Sequence, residues 1–252
     1  KLIKDKLNGF LMSGNETFPE GNPPGGDRPA TGNEIPEQPN PPQPPIRIAI
    51  SSGHSHRLWG SENRATGMFE YLENVKVVDR VHELLEEQGV IAHKFHDEVS
   101  SSRAANDTRI TNWHNSIERS LDVSIHFNSF DVTNNSIAEP SVNERTQNVI
   151  RAPVGPEVLY RTGDTETSRI AQAITNALYA TMYNDPTIIA RRVIVPRNDL
   201  PFLNDCNENP ILIEVCFVNS RTDVIIYHRK FEEICQAIAT SLIEAAISLR
   251  VN

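Results

Sequence analysis

Cysteine is scarce: Cys206, Cys216 and Cys235 are the only three in 252 residues. They form no C-x-x-C pair and an odd number cannot all pair internally. That argues against a disulfide scaffold, and the chain reads as one folded in a reducing compartment. Cys216 and Cys235 sit in apolar runs and read as small core residues. Positive charge is also short, with 24 Lys and Arg against 33 Asp and Glu, a formal net charge of -9. Phosphate binding needs a basic surface, so nucleic acid is not expected as the main partner. The same balance gives no electrostatic help toward an anionic membrane or polymer. No apolar run is long enough to span a membrane, and residues 1–20 lack the apolar core and cleavage site of a signal peptide. The first residue is Lys1 rather than Met, so a lost leader stays open at this point.

The chain does hold two different materials. Residues 1–14 form a small amphipathic stretch, Leu2, Ile3, Leu7, Phe10 and Leu11 among lysines, read either as the tail of an upstream domain or as a short docking helix. Residues 15–45 are rich in Pro, Gly, Asn and Glu and end in Pro41-Pro42-Gln43-Pro44-Pro45. Such a segment buries too little apolar surface to offset its ordering entropy, so it reads as an extended linker. A linker implies something to be linked, an upstream domain in the same protein. From Ile46 onward strands and helices alternate. The expectation is an α/β fold with a mostly parallel central sheet flanked by helices, a single catalytic domain over 46–252. Helices are expected over 70–88, closed by Gly89, and over 103–119, 165–183 and 229–250. Strands are expected at 46–52, 90–95, 121–129, 157–160 and 211–217, with a polar excursion over 130–153 read as a loop near a functional face.

The most informative stretch is Leu121-Asp122-Val123-Ser124-Ile125-His126-Phe127-Asn128-Ser129. Its period of two describes a strand with one polar side. His126 falls where the strand leaves the sheet, the place where open α/β sheets bind ligands. His54 stands in a turn after the first strand, and Glu214 in the apolar run Pro210-Ile211-Leu212-Ile213-Glu214-Val215-Cys216-Phe217. These polar groups converge if their strands are neighbours. Two histidines and a carboxylate with a fourth position for water are a common catalytic zinc set. The missing carboxylate is expected from the first turns of the following helix, where Glu70 and Glu73 both stand. Glu214 among apolar neighbours is costly as an anion; burial there raises its pKa toward the range a general acid/base needs. The bland alternative is a salt bridge from Glu214 to Arg191, Arg192 or Arg197. The remaining histidines, among them His82, His93, His96, His114 and His228, read as structural or solvent-exposed.

Four motifs then stand in order: Ser52-Gly53-His54, Glu70 with Asn74, Ser124-Ile125-His126-Phe127-Asn128, and Leu212-Ile213-Glu214-Val215-Cys216-Phe217-Val218-Asn219-Ser220. Together, residues 46–252 resemble the zinc-dependent N-acetylmuramoyl-L-alanine amidases of the autolysin and phage endolysin type. The resemblance implies that His54, Glu70 and His126 bind Zn2+ and that Glu214 is the catalytic carboxylate. Glu70 is preferred to Glu73 because its spacing to Asn74 and Gly89 matches the family helix. Two departures stand out: Ser51 and Ser52 replace the usual acidic residue and Pro, and Ser55 and His56 replace two glycines, leaving His56 as a competing ligand.

The implied function is a peptidoglycan hydrolase that cuts the amide between N-acetylmuramic acid and L-alanine with zinc-activated water. The rival readings are another zinc peptidase acting within the stem peptide and a non-catalytic wall-binding module. The implied place of action is the bacterial cell wall, reached by a phage lysin made in the cytoplasm and released, with a secreted autolysin as the alternative.

Overall fold

The structure, a computed structural model, describes residues 45–130, 155–184 and 193–250. Its elements in chain order begin with β1 (Arg47–Ser55), β2 (Glu62–Asn63), β3 (Met68–Phe69), α1 (Glu70–Glu87), β4 (Ile91–Asp97), α2 (Arg103–Asn115) and β5 (Leu121–Asn128). The second half holds β6 (Glu157–Arg161), α3 (Thr165–Met182), β7 (Val193–Arg197), α4 (Pro201–Asp205), β8 (Pro210–Phe217), α5 (Arg221–Arg229) and α6 (Phe231–Ser248). The sequence-read stretches 1–14 and 15–44, nearly all of the loop 130–153, and Arg191 and Arg192 lie outside the described residues.

Six strands form one sheet in the order β4-β1-β5-β8-β6-β7. All neighbouring pairs are parallel except β6 with β8, which is antiparallel. The expectation of a mostly parallel α/β sheet is met. The order also makes β1, β5 and β8 consecutive, which is the convergence that the scattered polar residues require. Alternation decides which side each residue takes. Leu121, Val123, Ile125 and Phe127 are buried on one face, where α1, α3 and α6 pack as a layer. Asp122, Ser124 and His126 point to the other face, covered by α2 and α4. The apolar part of that thinner cover is small: Ile110, Leu159, Phe202, Leu203, Cys206 and Leu212.

Local chemistry explains the helix ends. Gly89 ends α1 with φ 79, a conformation open to glycine at no steric cost. Ser102 Oγ accepts from Ala105 N and starts α2; Asp164 does the same for α3 through Thr167 N and Ser220 for α5 through Asp223 N. Three expectations need correction. The helix expected to run to 119 stops at Asn115, because Arg119 turns back to form a two-pronged pair with Asp122 at 2.8 and 2.9 Å. The final helix expected over 229–250 is α6, but the stretch before it, across Lys230 (φ −119, ψ 27), is also helical, and this α5 holds His228, which was expected in a loop. The strand β7 was not anticipated, since Pro196 interrupts its pattern; it is the terminal strand of the sheet, where a proline removes no ladder bond that matters.

The polar side of β5 is not a solvent face. His114 bridges the sheet: one ring nitrogen lies 2.7 Å from Asp122 Oδ1 and the other 2.9 Å from Ser51 Oγ, and all three residues are fully buried. His114 is thus a structural histidine, one of the two readings the sequence left for it, and Asn106 and Thr111 face inward with it. Burial pushes the His114 imidazole below its ordinary 6.5, against the opposing pull of Asp122. The folded state thus binds the proton more weakly than the unfolded chain, so stability is complete above the ordinary histidine range and is lost as pH falls through it. Urea unfolding midpoints should drop from pH 7 to pH 5, and His114→Gln should flatten that slope; an unchanged slope in the variant would contradict it.

Candidate metal centre

β1 does not end in a turn at His54, as its sequence suggests; it runs on to Ser55 through a bulge. Pairing with β4 holds through Ser51↔Phe95 and resumes only at Ser55↔Asp97. Within the bulge His54 takes φ 64, a left-handed conformation that costs an L-residue about 1–2 kcal/mol. Side chains hold it there. Asn74 Nδ2 donates to Gly53 O at 3.1 Å and Asn106 Nδ2 to His54 O at 2.9 Å. Asn106 is itself fixed on Asp97 Oδ2 at 2.9 Å, and Ser55 Oγ donates to Ser100 O at 2.7 Å. Gly53 is held to glycine for a different reason: a Cβ there would lie 2.1 Å from the imidazole of His126.

The bulge aims His54 at the first residue of α1. His54 Nε2 lies 2.9 Å from Glu70 Oε1, and His126 Nδ1 lies 2.9 Å from the same oxygen. The two imidazoles meet edge-to-face with centroids 5.0 Å apart. One ligand-type atom from each of the three residues lies within 4.8 Å of the others. Two imidazole nitrogens and a carboxylate oxygen gathered this closely are the donor types that zinc binds at about 2.0–2.2 Å. Glu70 is almost fully buried. Burial pushes its carboxyl up, but the hydrogen bonds and charge of His126 and His54 outweigh this and hold it well below the usual carboxylate range. Ser61 N donates to its Oε2 at 2.6 Å and Phe127 N reaches Oε1 at 3.3 Å, so the backbone orients the carboxylate. Burial also lowers the pKa of His126, with Glu70 opposing. That favours the neutral ring, the form that ligates metals.

The competitors fall away by geometry. Glu73 Oε2 accepts from Tyr227 OH at 3.0 Å and Oε1 pairs with Lys76 at 2.7 Å, so its carboxylate is committed elsewhere. His56 stacks edge-on to Tyr71 at 6.2 Å and is not part of the triad.

Glu214 stands directly beside His126 in the sheet, Cα partner to Cα partner across β5 and β8, and so on the same face. On its other side β6 places Glu157 in register with it. Burial pushes the Glu214 carboxyl well above the usual range; the charges of Glu70 and Glu157 add to that, and Arg197 tempers it. Its Oε2 is buried and has no hydrogen-bond partner. The alternative of a structural ion pair with Arg197 is not realised, since that guanidinium is engaged two-pronged by Asp199 at 2.7 Å. The sequence reading missed Glu157, which accepts from Asn128 Nδ2 at 2.9 Å.

The model of the N-acetylmuramoyl-L-alanine amidase family matches residues 48–244. The chain belongs to this family. Solved structures share its fold. The catalytic domain of the CD27L endolysin targeting Clostridia difficile is 17% identical with a TM-score of 0.62, covering 79% of this chain and 97% of that one. Ami1, the N-acetylmuramyl-L-alanine amidase from Mycobacterium smegmatis, is 17% identical at a TM-score of 0.62, with 81% and 97% covered. AmiC2 of Nostoc punctiforme, another such amidase, is 20% identical at 0.59, with 79% and 96% covered. No curated protein matches the sequence.

In this amidase the triad opens into a cavity of about 460 Å³. His54 and His126 stand in its wall, the sheet residues Ser124 and Leu212 line it, and so do Trp59 and Phe202. Arg57 and Arg103 also line it, so a cleft in a net-acidic amidase carries two guanidiniums. The Ser55–His56 pair that replaces the family glycines is accommodated by turning away from the cleft: Ser55 bonds to Ser100, and His56 packs on Tyr71. Gly60 was not singled out from sequence, yet a Cβ there would overlap both His54 and Glu70, and its φ is 72. A lone glycine in a turn leaves no sequence signal for that role.

Proposed function

We propose that this peptidoglycan amidase holds a zinc ion between His54, Glu70 and His126 and that Glu214 moves the proton in the reaction. The observation carrying this reading is the placement of Glu214, a carboxylate with an orphaned buried oxygen, next to His126 on the cleft face. The donor set fits zinc: two imidazoles, one of them held neutral by burial, and one ionised carboxylate whose backbone partners fix its direction. The family is generally zinc-dependent. When bound, zinc would supply Lewis-acid polarisation of the scissile carbonyl and lower the pKa of a water toward about 7.

The protein's own groups do the rest. Gly53 and Gly60 let the ligand side chains close together without steric conflict. Asn74 and Asn106 hold the bulge so that His54 needs no rearrangement to act. Glu214 has a raised proton affinity, which suits a group that takes a proton from the attacking water and passes it to the leaving amine of L-alanine. The like charge of Glu157 alongside favours the protonated intermediate form of Glu214.

Removing divalent metal should abolish peptidoglycan digestion, and zinc should restore it. The products should be glycan strands with free lactyl groups and stem peptides that begin at L-alanine. Cleavage products that end inside the stem peptide would assign the site to a peptidase instead. Digestion that persists in strong chelator would remove the metal from the account.

A further inference from the structure

The turn between β1 and α1 carries an exposed indole beside the triad. Trp59 is 39% exposed and lines the same cavity as His54 and His126. It is nonetheless fixed. Its Nε1 donates to His56 O at 2.7 Å, and Phe69 meets it edge-to-face with centroids 5.5 Å apart and planes at 79°. Its carbonyl accepts from Tyr71 N at 3.0 Å. The next residue, Gly60, sits against His54 and Glu70, so the indole is one residue removed from the triad.

These contacts define what the ring offers. Its only side-chain donor is spent internally, so what the ring offers the cleft is apolar aromatic surface rather than a hydrogen bond. Keeping a large apolar face in water is unfavourable, and one held rigid in a cleft marks a binding surface. The negative face of an aromatic ring attracts the slightly positive C–H bonds on the flat side of a pyranose. In an amide between a muramic lactyl group and L-alanine, the reacting carbon hangs from the sugar ring by a short ether arm. A sugar that presents its carbonyl to the triad therefore keeps its ring within reach of a neighbouring side chain.

We infer that Trp59 is a sugar platform, a subsite on which the N-acetylmuramic acid ring of the glycan strand stacks while its lactyl carbonyl lies at the triad. The inference rests on the amidase reading above and adds to it the side of the cleft that takes glycan. Because Trp59 arrives already oriented, binding loses little side-chain entropy there.

Fluorescence of the full chain tests it. The protein has two tryptophans; the other, Trp113, stacks on Phe95 at 5.1 Å, and Trp113→Phe leaves Trp59 as sole indole emitter. Glycan strands stripped of stem peptide should change its emission saturably, and free stem peptide should not. Should Trp113→Phe fail to fold, the difference in emission between the wild type and Trp59→Phe gives the same readout. Trp59→Ala should raise KM for intact peptidoglycan roughly three- to tenfold, the scale of one ring contact, with a smaller effect on kcat. Trp59→Tyr should recover most of the loss. Emission that ignores glycan, a response to stem peptide alone, or an unchanged KM in Trp59→Ala would each overturn the platform. The amidase reading fails by a separate sign, the absence of free lactyl groups after wild-type digestion, which leaves the glycan titration interpretable.

Discussion

Replacing Glu214 by glutamine should slow peptidoglycan digestion by about two to four orders of magnitude, the span general acid–base catalysis supplies, while metal content stays that of the wild type. The two halves of the result come from the same geometry. Glu214 is on the cleft face in register with His126 but outside the His54–Glu70–His126 triad, so its loss should leave the ligands in place. A third readout separates catalysis from folding. Glu214 is a carboxylate with an orphaned buried oxygen beside Glu157, and its charged form is disfavoured by burial and by like charges. The uncharged glutamine relieves that conflict, so the thermal midpoint of Glu214→Gln should rise as activity falls. Near-normal digestion by a metal-loaded Glu214→Gln protein would remove Glu214 from the mechanism.

The second large effect needs only a methyl group. Gly53→Ala should lose at least roughly 10–100-fold in metal affinity, as happens when the groups that orient a ligand are disturbed. The added Cβ has no free space, because it comes to 2.1 Å from the ring of His126. His126 must then rotate away from Glu70, or the bulge that presents His54 must move, and either change opens the triad. The rest of the fold should persist, since Ile48, Ile50 and the other core residues of β1 are untouched. Metal analysis after dialysis, alongside circular dichroism, checks both parts. A folded Gly53→Ala protein with wild-type metal affinity would sink the argument. Gly60→Ala should act in the same direction and adds backbone strain at φ 72.

What the sequence made legible was periodicity and chemistry that stand on single residues. The alternation of Leu121 to Asn128 gave the strand and its register of faces, and the apolar setting of Glu214 marked it before any neighbour was known. Valine and leucine spacing gave α1, whose buried apolar stripe runs through Val77, Val78, Val81, Leu84 and Leu85. What stayed hidden depends on backbone geometry or on partners distant in sequence. The His54 bulge has no side-chain signature, because it is made by Asn74 and Asn106 reaching in from other elements. Glu157 gained its meaning only when an antiparallel β6 laid it beside Glu214. His114 looked bland because a helix of Asn, Thr and His residues resembles a solvated one until Ser51 and Asp122 are seen opposite it.

The position of β8 also bears on how the molecule comes into being. The triad is complete in the chain by His126, but the strand that carries Glu214 lies between β5 and β6 in space and comes last of the six in sequence. Until residue 217 is available, β5 has no partner on one side, and the sheet is two separate pieces with open edges. Joining them requires long-range pairing, which is slow relative to local helix formation. During synthesis, the residues proposed as metal ligands thus precede the proposed proton carrier by some 90 residues of chain. On the proposed roles, a partly made protein gathers its ligands and stays hydrolytically silent, becoming a lytic enzyme only when its central sheet closes.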